Sequence, residues 1–381
     1  MVYADEELNL KTDSQTNRQI ELVDLAVRTP KDLANLRARW KRMDGIPKLV
    51  AVRTDGEDDS FLGFDVRTLL RGEESGGRHT VHSIILSPGA KIPAHGIEAG
   101  DAVWFLLHGE IEVTIGAVTR TLKAPAFAYA PEQTTQAIAN RSGASAEVYV
   151  IHSPAGADRA FSAAHRLWKE RPDSAADVFW QIFAEHGFVF NGGKALPNDA
   201  RTNAQAPRIE ADIKRFEDFA ALRERWSRLA PTPKIVEFPR QCQNLTPIPG
   251  AHTNILLSPE ESRAHASAFL DGLDKHNSVA PHHQPSEDEF FILFSGALHL
   301  EVGNKVVEAA QYGAFGFAPR YATHAFSCRT DASATFFSMN SPGGHDRGFE
   351  YGMTNSAKPG FFEGIEAHGF VFHQPIGLHQ T

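Results

Sequence analysis

Two stretches of the chain show apolar residues at helical spacing: Leu33, Leu36 and Trp40, and later Phe219, Leu222 and Trp226, with Arg, Lys and Glu between them. Each predicts an amphipathic helix. After each helix come short apolar runs broken by Gly, Pro, Asn and Asp. In the first half they read HTVHSIILSPGA, VWFLLHGEIEVTIGAVTRTL and PAFAYAP, and in the second FFILFSGALHLEVGNKVVEA and GAFGFAPRYATHAFS. Such runs predict hairpin strands of an all-β barrel.

The two halves repeat one another. LRARWKRMDGIPKLV at 36–50 returns as LRERWSRLAPTPKIV at 222–236, 186 positions later. SPAGADRAF after His152 answers SPGGHDRGF after Asn340, and AEHGFVF at 184–190 answers EAHGFVF at 366–372. Order and spacing are kept, which is the mark of a duplication. We therefore expect an N-terminal domain over 28–192, a polar linker rich in Pro, Gly and Asn over 193–212, and a C-terminal domain over 213–375. A chain of 381 residues suits two such units, each able to bury its own core.

Composition narrows the partners. Lys+Arg 38 against Asp+Glu 47 gives a net charge of −9, with no basic run, so nucleic acid is not expected. No stretch of ~18 apolar residues occurs, and the polar, acidic N-terminus lacks the apolar core of a signal peptide, so no membrane association and a cytoplasmic location are expected. Cys242 and Cys328 are too few for a disulfide framework and form no CxxC pair.

In the second half, PHHQPSEDEFFILFSG is followed by GAFGFAPRYATHAF, and here the sequence resembles the cupin family. That family's first motif runs His, any residue, His, four residues, Glu, six residues, Gly; its second ends with a Pro and a His five positions after it. His282, Glu289 and Gly296 match the first motif, and Gly313, Pro319 and His324 the second. The resemblance spans roughly 78–152 and 265–340 and implies two tandem cupin barrels of the jelly-roll type, flanked by short helices. It also implies a divalent metal on His282, Glu289 and His324.

The family's second His falls on Gln284, with a displaced His283 before it. Side chains alternate across a strand, so His282 and Gln284 share the inner face and His283 points outward. Either Gln284 lends a weak amide-oxygen ligand or the protein supplies three ligands. A bulge that turns His283 inward is the lesser alternative. In the first half the corresponding positions are His95, Ile97, Ala102 and Gly109, with Gln136 five past Pro131. One ligand of four survives, and Glu98 and Asp101 do not sit at ligand spacing. The first barrel is expected to be metal-free, with His95 a hydrogen-bonded remnant.

Two His and one carboxylate suit a first-row divalent metal with open positions, Fe(II) first, with Mn, Ni or Zn as alternatives. Phe291, Leu293 and Phe326, with Phe315 and Phe317 on the strand before Pro319, are expected to wall a pocket, and Arg320 and Tyr321 to meet a substrate at its mouth. Tyr321 stands where the family has a turn glycine. By its resemblance to the bicupin ring-cleaving dioxygenases, such as the quercetin and gentisate groups, the chain is expected to be an Fe(II) dioxygenase. Small aromatic or enolisable substrates and O₂ are its expected partners, with Glu289 able to accept a proton. A redox-neutral isomerase or lyase, or a non-catalytic small-molecule binder, remain the alternatives. His186 and His368, at matching places in both halves, suggest a shared structural job, and the apolar helix stripes suggest a homodimer.

Overall fold

The computed structural model describes residues 27–238 and 243–373; Cys242 lies outside them. The chain folds into two barrels, each a seven-stranded and a five-stranded antiparallel sheet facing each other. In the second barrel the larger sheet runs, edge to edge, Lys48–Val50, Phe315–Ala318, Asp288–Ser295, Ala334–Ser341, Ser267–Leu273, Ala251–Leu257 and Gln243–Leu245. The smaller sheet runs Lys305–Ala310, Leu298–Val302, His324–Ser327, Ser278–His283 and Val371–Phe372. The first barrel repeats this order strand for strand.

One strand of each larger sheet comes from the other half. Lys48–Val50 pairs with Phe315–Ala318, placing Lys48 opposite Phe317, and Lys234–Glu237 pairs with Ala126–Ala130, placing Lys234 opposite Tyr129. The repeated KLV and KIV segments thus do the same work crosswise. A cut at the linker divides the sequence, but these two strands cross it. The linker itself is bound along the barrels: the Asp199 carboxylate accepts from Thr135 N and Oγ1 and from Leu196 N, and Arg208 pairs with Glu350.

The larger sheets pack face to face, which explains why their strands read as unbroken apolar runs rather than alternating ones. In FFILF, Phe290 and Ile292 face the other barrel, while Phe291 and Leu293 face their own interior. Phe105 and Phe337 meet across the interface with ring centroids 4.6 Å apart, and Tyr149 donates to the Gly313 carbonyl at 2.7 Å. The motif glycines have a backbone job: Gly296 and Gly109 turn with φ of +80° and +81°, and a Cβ at either would press on the carbonyl of Ser333 or Ser145.

The two amphipathic helices form as expected, over Pro30–Trp40 and Phe216–Ser227. Thr29 caps the first, its hydroxyl accepting from Asp32 N, with Pro30 in the first turn. Their apolar stripes are covered within the chain: Trp40 packs with Leu36 and Ala155, and Trp226 with Phe219, Leu222 and Ala264. Neither stripe is left open for a second copy. His186 and His368 share the expected structural job, each ring Nδ1 pairing with the carbonyl four residues earlier, of Ile182 and Gly364. No helix among the described residues is long and apolar enough to cross a membrane.

Candidate metal centre

Three strands of the second barrel bring His282, Glu289 and His324 together. His282 and His324 sit opposite each other in the smaller sheet, and Glu289 reaches in from the larger one. All three are buried, with one donor atom from each within 4.8 Å of the others. The ring Nδ1 of His282 donates to the Ala280 carbonyl at 2.8 Å, and that of His324 to the Ala322 carbonyl at 3.0 Å. This fixes the tautomer and leaves each Nε2 with a free lone pair. His324 Nε2 then lies 2.9 Å from Glu289 Oε2 with no hydrogen bond between them. Two acceptors at that separation repel unless a cation lies between them, so the donor set fits a divalent metal. Burial pushes the His282 imidazole down to about 3, and neighbouring His324 adds to it, so it stays a neutral donor.

Alternation along the strand places Gln284 inside, 1 % exposed, and turns His283 outward against His373, with the two ring nitrogens 2.9 Å apart. Gln284 Nε2 donates to Glu289 Oε2 at 2.8 Å. Its amide therefore orients the carboxylate.

The pocket walls differ from the expectation in most of the residues named for them. Phe317, like Phe315, belongs to the layer between the barrels, its ring 5.1 Å from that of Phe290. Glu289 stands opposite Ala318, so Gly316 and Ala318 take the inner face and Phe315 and Phe317 the outer one. Arg320 lies in the cleft between the barrels, its backbone N–H on Asp288, and Tyr321 is 69 % exposed beside His283. Tyr321 takes a left-handed φ of 64°, the conformation a glycine would suit. Phe291 packs behind His324 at 5.7 Å, and of the seven residues expected at the pocket Phe326 alone lines the cavity beside the three donors.

That cavity measures about 90 Å³. Much of its wall comes from a region that the motif gives no hint of: Phe349, Phe361 and Ile365 on the helices His345–Asn355 and Phe361–Glu366, then Phe370 and Phe372. Asp271 also faces it. Burial raises the Asp271 carboxyl to about 7, and the charge of Glu289 adds to this against the hydrogen bonds from Ser338 and Thr253. Its sequence signal was an acid within SAFLDGL at period two from Phe269 and Leu273, where an apolar residue belongs.

Beside Glu289, Asp288 is fully buried and held from the other barrel by Arg78, whose Nη2 is 3.1 Å from Oδ1, and by His79 Nε2 at 3.2 Å. The duplicate position, Asp101, accepts from Tyr129 OH and Glu132 N and pairs with His265 across the same interface. Asp101 thus has a structural role.

In the first barrel His95 Nδ1 donates to the Pro93 carbonyl at 2.8 Å, just as His282 does to Ala280, but Gln136 Oε1 accepts from Trp104 Nε1 and Ala102 replaces the Glu. Burial pushes His95 down to about 4. No second cluster of three close His, Cys, Asp or Glu donors occurs among the described residues.

Comparison with protein-family models and with curated proteins gives no match. Among solved structures, the chain is similar to a variant of oxalate decarboxylase from Bacillus subtilis at 12% identity and a TM-score of 0.49, covering 79% of this chain and 78% of that one. It is also similar to a putative glyoxylate induced protein from Pseudomonas aeruginosa, at 10% identity and a TM-score of 0.48, covering 74% and 83%. A third is AerE from Microcystis aeruginosa, at 10% identity and a TM-score of 0.45, covering 78% and 98%. Similarity at this level says nothing of activity. With two tandem double-sheet barrels in one repeated strand order, the chain has the bicupin architecture that its motif spacing implies.

Proposed function

We propose that the protein is a metal-dependent bicupin enzyme, an Fe(II) dioxygenase that acts on a small aromatic or enolisable molecule. The observation that supports this most is the convergence of three buried donors, two imidazole and one carboxylate, at one side of an apolar cavity. His282, Glu289 and His324 hold the metal; bound there, it supplies a Lewis acid and, if iron, a redox centre.

The chain's own residues do the rest. The carbonyls of Ala280 and Ala322 fix the two rings, and the Gln284 amide aims the Glu289 carboxylate. Phe326, Phe336 and Phe370 take the apolar body of the substrate and exclude water. Glu289 is the charged donor of the three and accepts the proton of a substrate hydroxyl.

Oxygen consumption decides between this reading and a redox-neutral lyase or isomerase on the same ligands. With Fe(II) bound, turnover should consume O₂ in equal amount and stop under anaerobiosis, and the Zn(II) form should be inactive. Turnover by the Zn(II) form without oxygen, at a comparable rate, would replace the dioxygenase reading with the redox-neutral one.

A further inference from the structure

Two polar pairs line the second-barrel cavity: His282 with Glu289, and Thr253 with Asp271, neighbours on adjacent strands of the larger sheet, with His252 next to Thr253. The rest of the wall is apolar, with Leu273, Val279, Phe326 and Phe336 among its residues. Asp271 stands on the inner face of Ser267–Leu273 and is held from two sides: Thr253 Oγ1 donates to Oδ1 at 2.7 Å, and Ser338 Oγ donates to Oδ2. No Lys or Arg lines the cavity, and none pairs with Asp271 among the described residues. A buried acid without a cationic partner, fixed by two hydroxyls and facing an apolar space, is costly for packing alone, where the first barrel has Ile84 on the matching strand.

We infer that this cavity selects a small, largely apolar molecule with a metal-binding oxygen at one end and an uncharged hydrogen-bonding group at the other, the second group being met by Asp271, and that it rejects small dicarboxylates. The inference rests on the proposed metal centre at His282, Glu289 and His324. A volume of about 90 Å³ restricts the ligand to a small molecule. A hydroxyl at the far end pairs with the Asp271 carboxyl, whose oxygens each keep a free lone pair. Above about pH 7, where the Asp271 carboxyl is ionised, a second carboxylate there meets a like charge with no Lys or Arg to compensate it, in surroundings too apolar to screen the repulsion. Asp271 is thus a specificity-determining residue for the proposed site, separate from the metal ligands.

Calorimetric titration of the Zn(II)-loaded protein with hydroquinone, phenol and malonate tests this, at pH 8.5, where Asp271 is ionised, and under argon, which keeps the probes from oxidation. Hydroquinone should bind at least tenfold more tightly than phenol, which lacks the distal hydroxyl, and malonate should bind at least a hundredfold more weakly than hydroquinone. Asp271→Leu should abolish the preference for hydroquinone over phenol. Asp271→Asn keeps partners for Thr253 and Ser338, so it preserves the fold should the Leu variant lose it. It should tighten malonate at least tenfold and leave hydroquinone within a few-fold. Equal binding of malonate and hydroquinone by the wild type, or an unaltered preference in both variants, overturns the inference. Metal content is measured on the same samples. A protein that takes up metal but lacks the preference refutes this inference alone; one that takes up no metal yet shows an Asp271-dependent preference refutes the metal centre alone.

Discussion

Replacing Arg78 by Met should weaken a site in the opposite barrel. Asp288 is fully buried next to Glu289, and the Arg78 guanidinium holds it with Nη2 at 3.1 Å. Burial pushes the Asp288 carboxyl up, but the close approach of His79 Nε2 and the charge of Arg78 outweigh it and leave it below the usual carboxylate range. At that distance the attraction is roughly 5 kcal/mol with an effective dielectric near 20. His79 and the Arg320 N–H remain as partners, so a net loss of about 3 kcal/mol is expected, in the range for breaking a buried pair. Because Asp288 fixes the start of the strand that presents Glu289, metal affinity should fall about 10- to 100-fold. Denaturant unfolding of the wild type, Arg78→Met, Asp288→Asn and the double variant gives the coupling energy, expected at about 2 kcal/mol. Chelator competition gives the affinity. A coupling below about 0.5 kcal/mol with unchanged metal affinity would refute the cross-barrel clamp.

Three other substitutions probe separate parts of the account. Gln284→His supplies the missing imidazole on the inner face and should tighten metal about tenfold in chelator competition. His283→Ala should leave affinity unchanged, because that ring faces His373 outside; loss of metal in this variant would place the ring at the metal. In the first barrel, burial pushes His152 down to about 3 and His95 to about 4. Folded-state values below the unfolded value of about 6.5 mean that the unfolded chain binds more protons, so stability falls as the pH drops below that value. Each such histidine should cost about 2 kcal/mol between pH 7 and pH 5. His152→Gln should reduce the acid loss by that amount in urea unfolding, and an identical pH dependence would show that the ring is charged when folded.

What could be read from the sequence was whatever depends on spacing within one strand or one motif. His282 and Gln284 share an inner face because alternation is a property of the strand itself, and His283 turns out for the same reason, while Glu289, on a strand of the other sheet, was marked by the motif spacing alone. Phe317 escaped this logic because its place on the strand before Pro319 does not say which face it takes; that is set by the pairing of Glu289 with Ala318 on the neighbouring strand. Its burial between the barrels depends on Phe290, in another strand. The exchange of Lys48–Val50 and Lys234–Glu237 could not be read at all, since the repeats KLV and KIV are near-identical and either barrel would accept either. The helical cap over the cavity was equally hidden. Phe349, Phe361 and Phe370 lie beyond the last motif residue and reach the site only through tertiary packing.

Metal content per chain, determined by elemental analysis after loading and desalting, tests the central claim most directly. The account predicts one divalent metal in the wild type and in His95→Ala, and close to none in His282→Ala, Glu289→Ala and His324→Ala with their fold intact by circular dichroism. Two metals per chain, loss of metal in His95→Ala, or full retention in any one of the three ligand variants would contradict it.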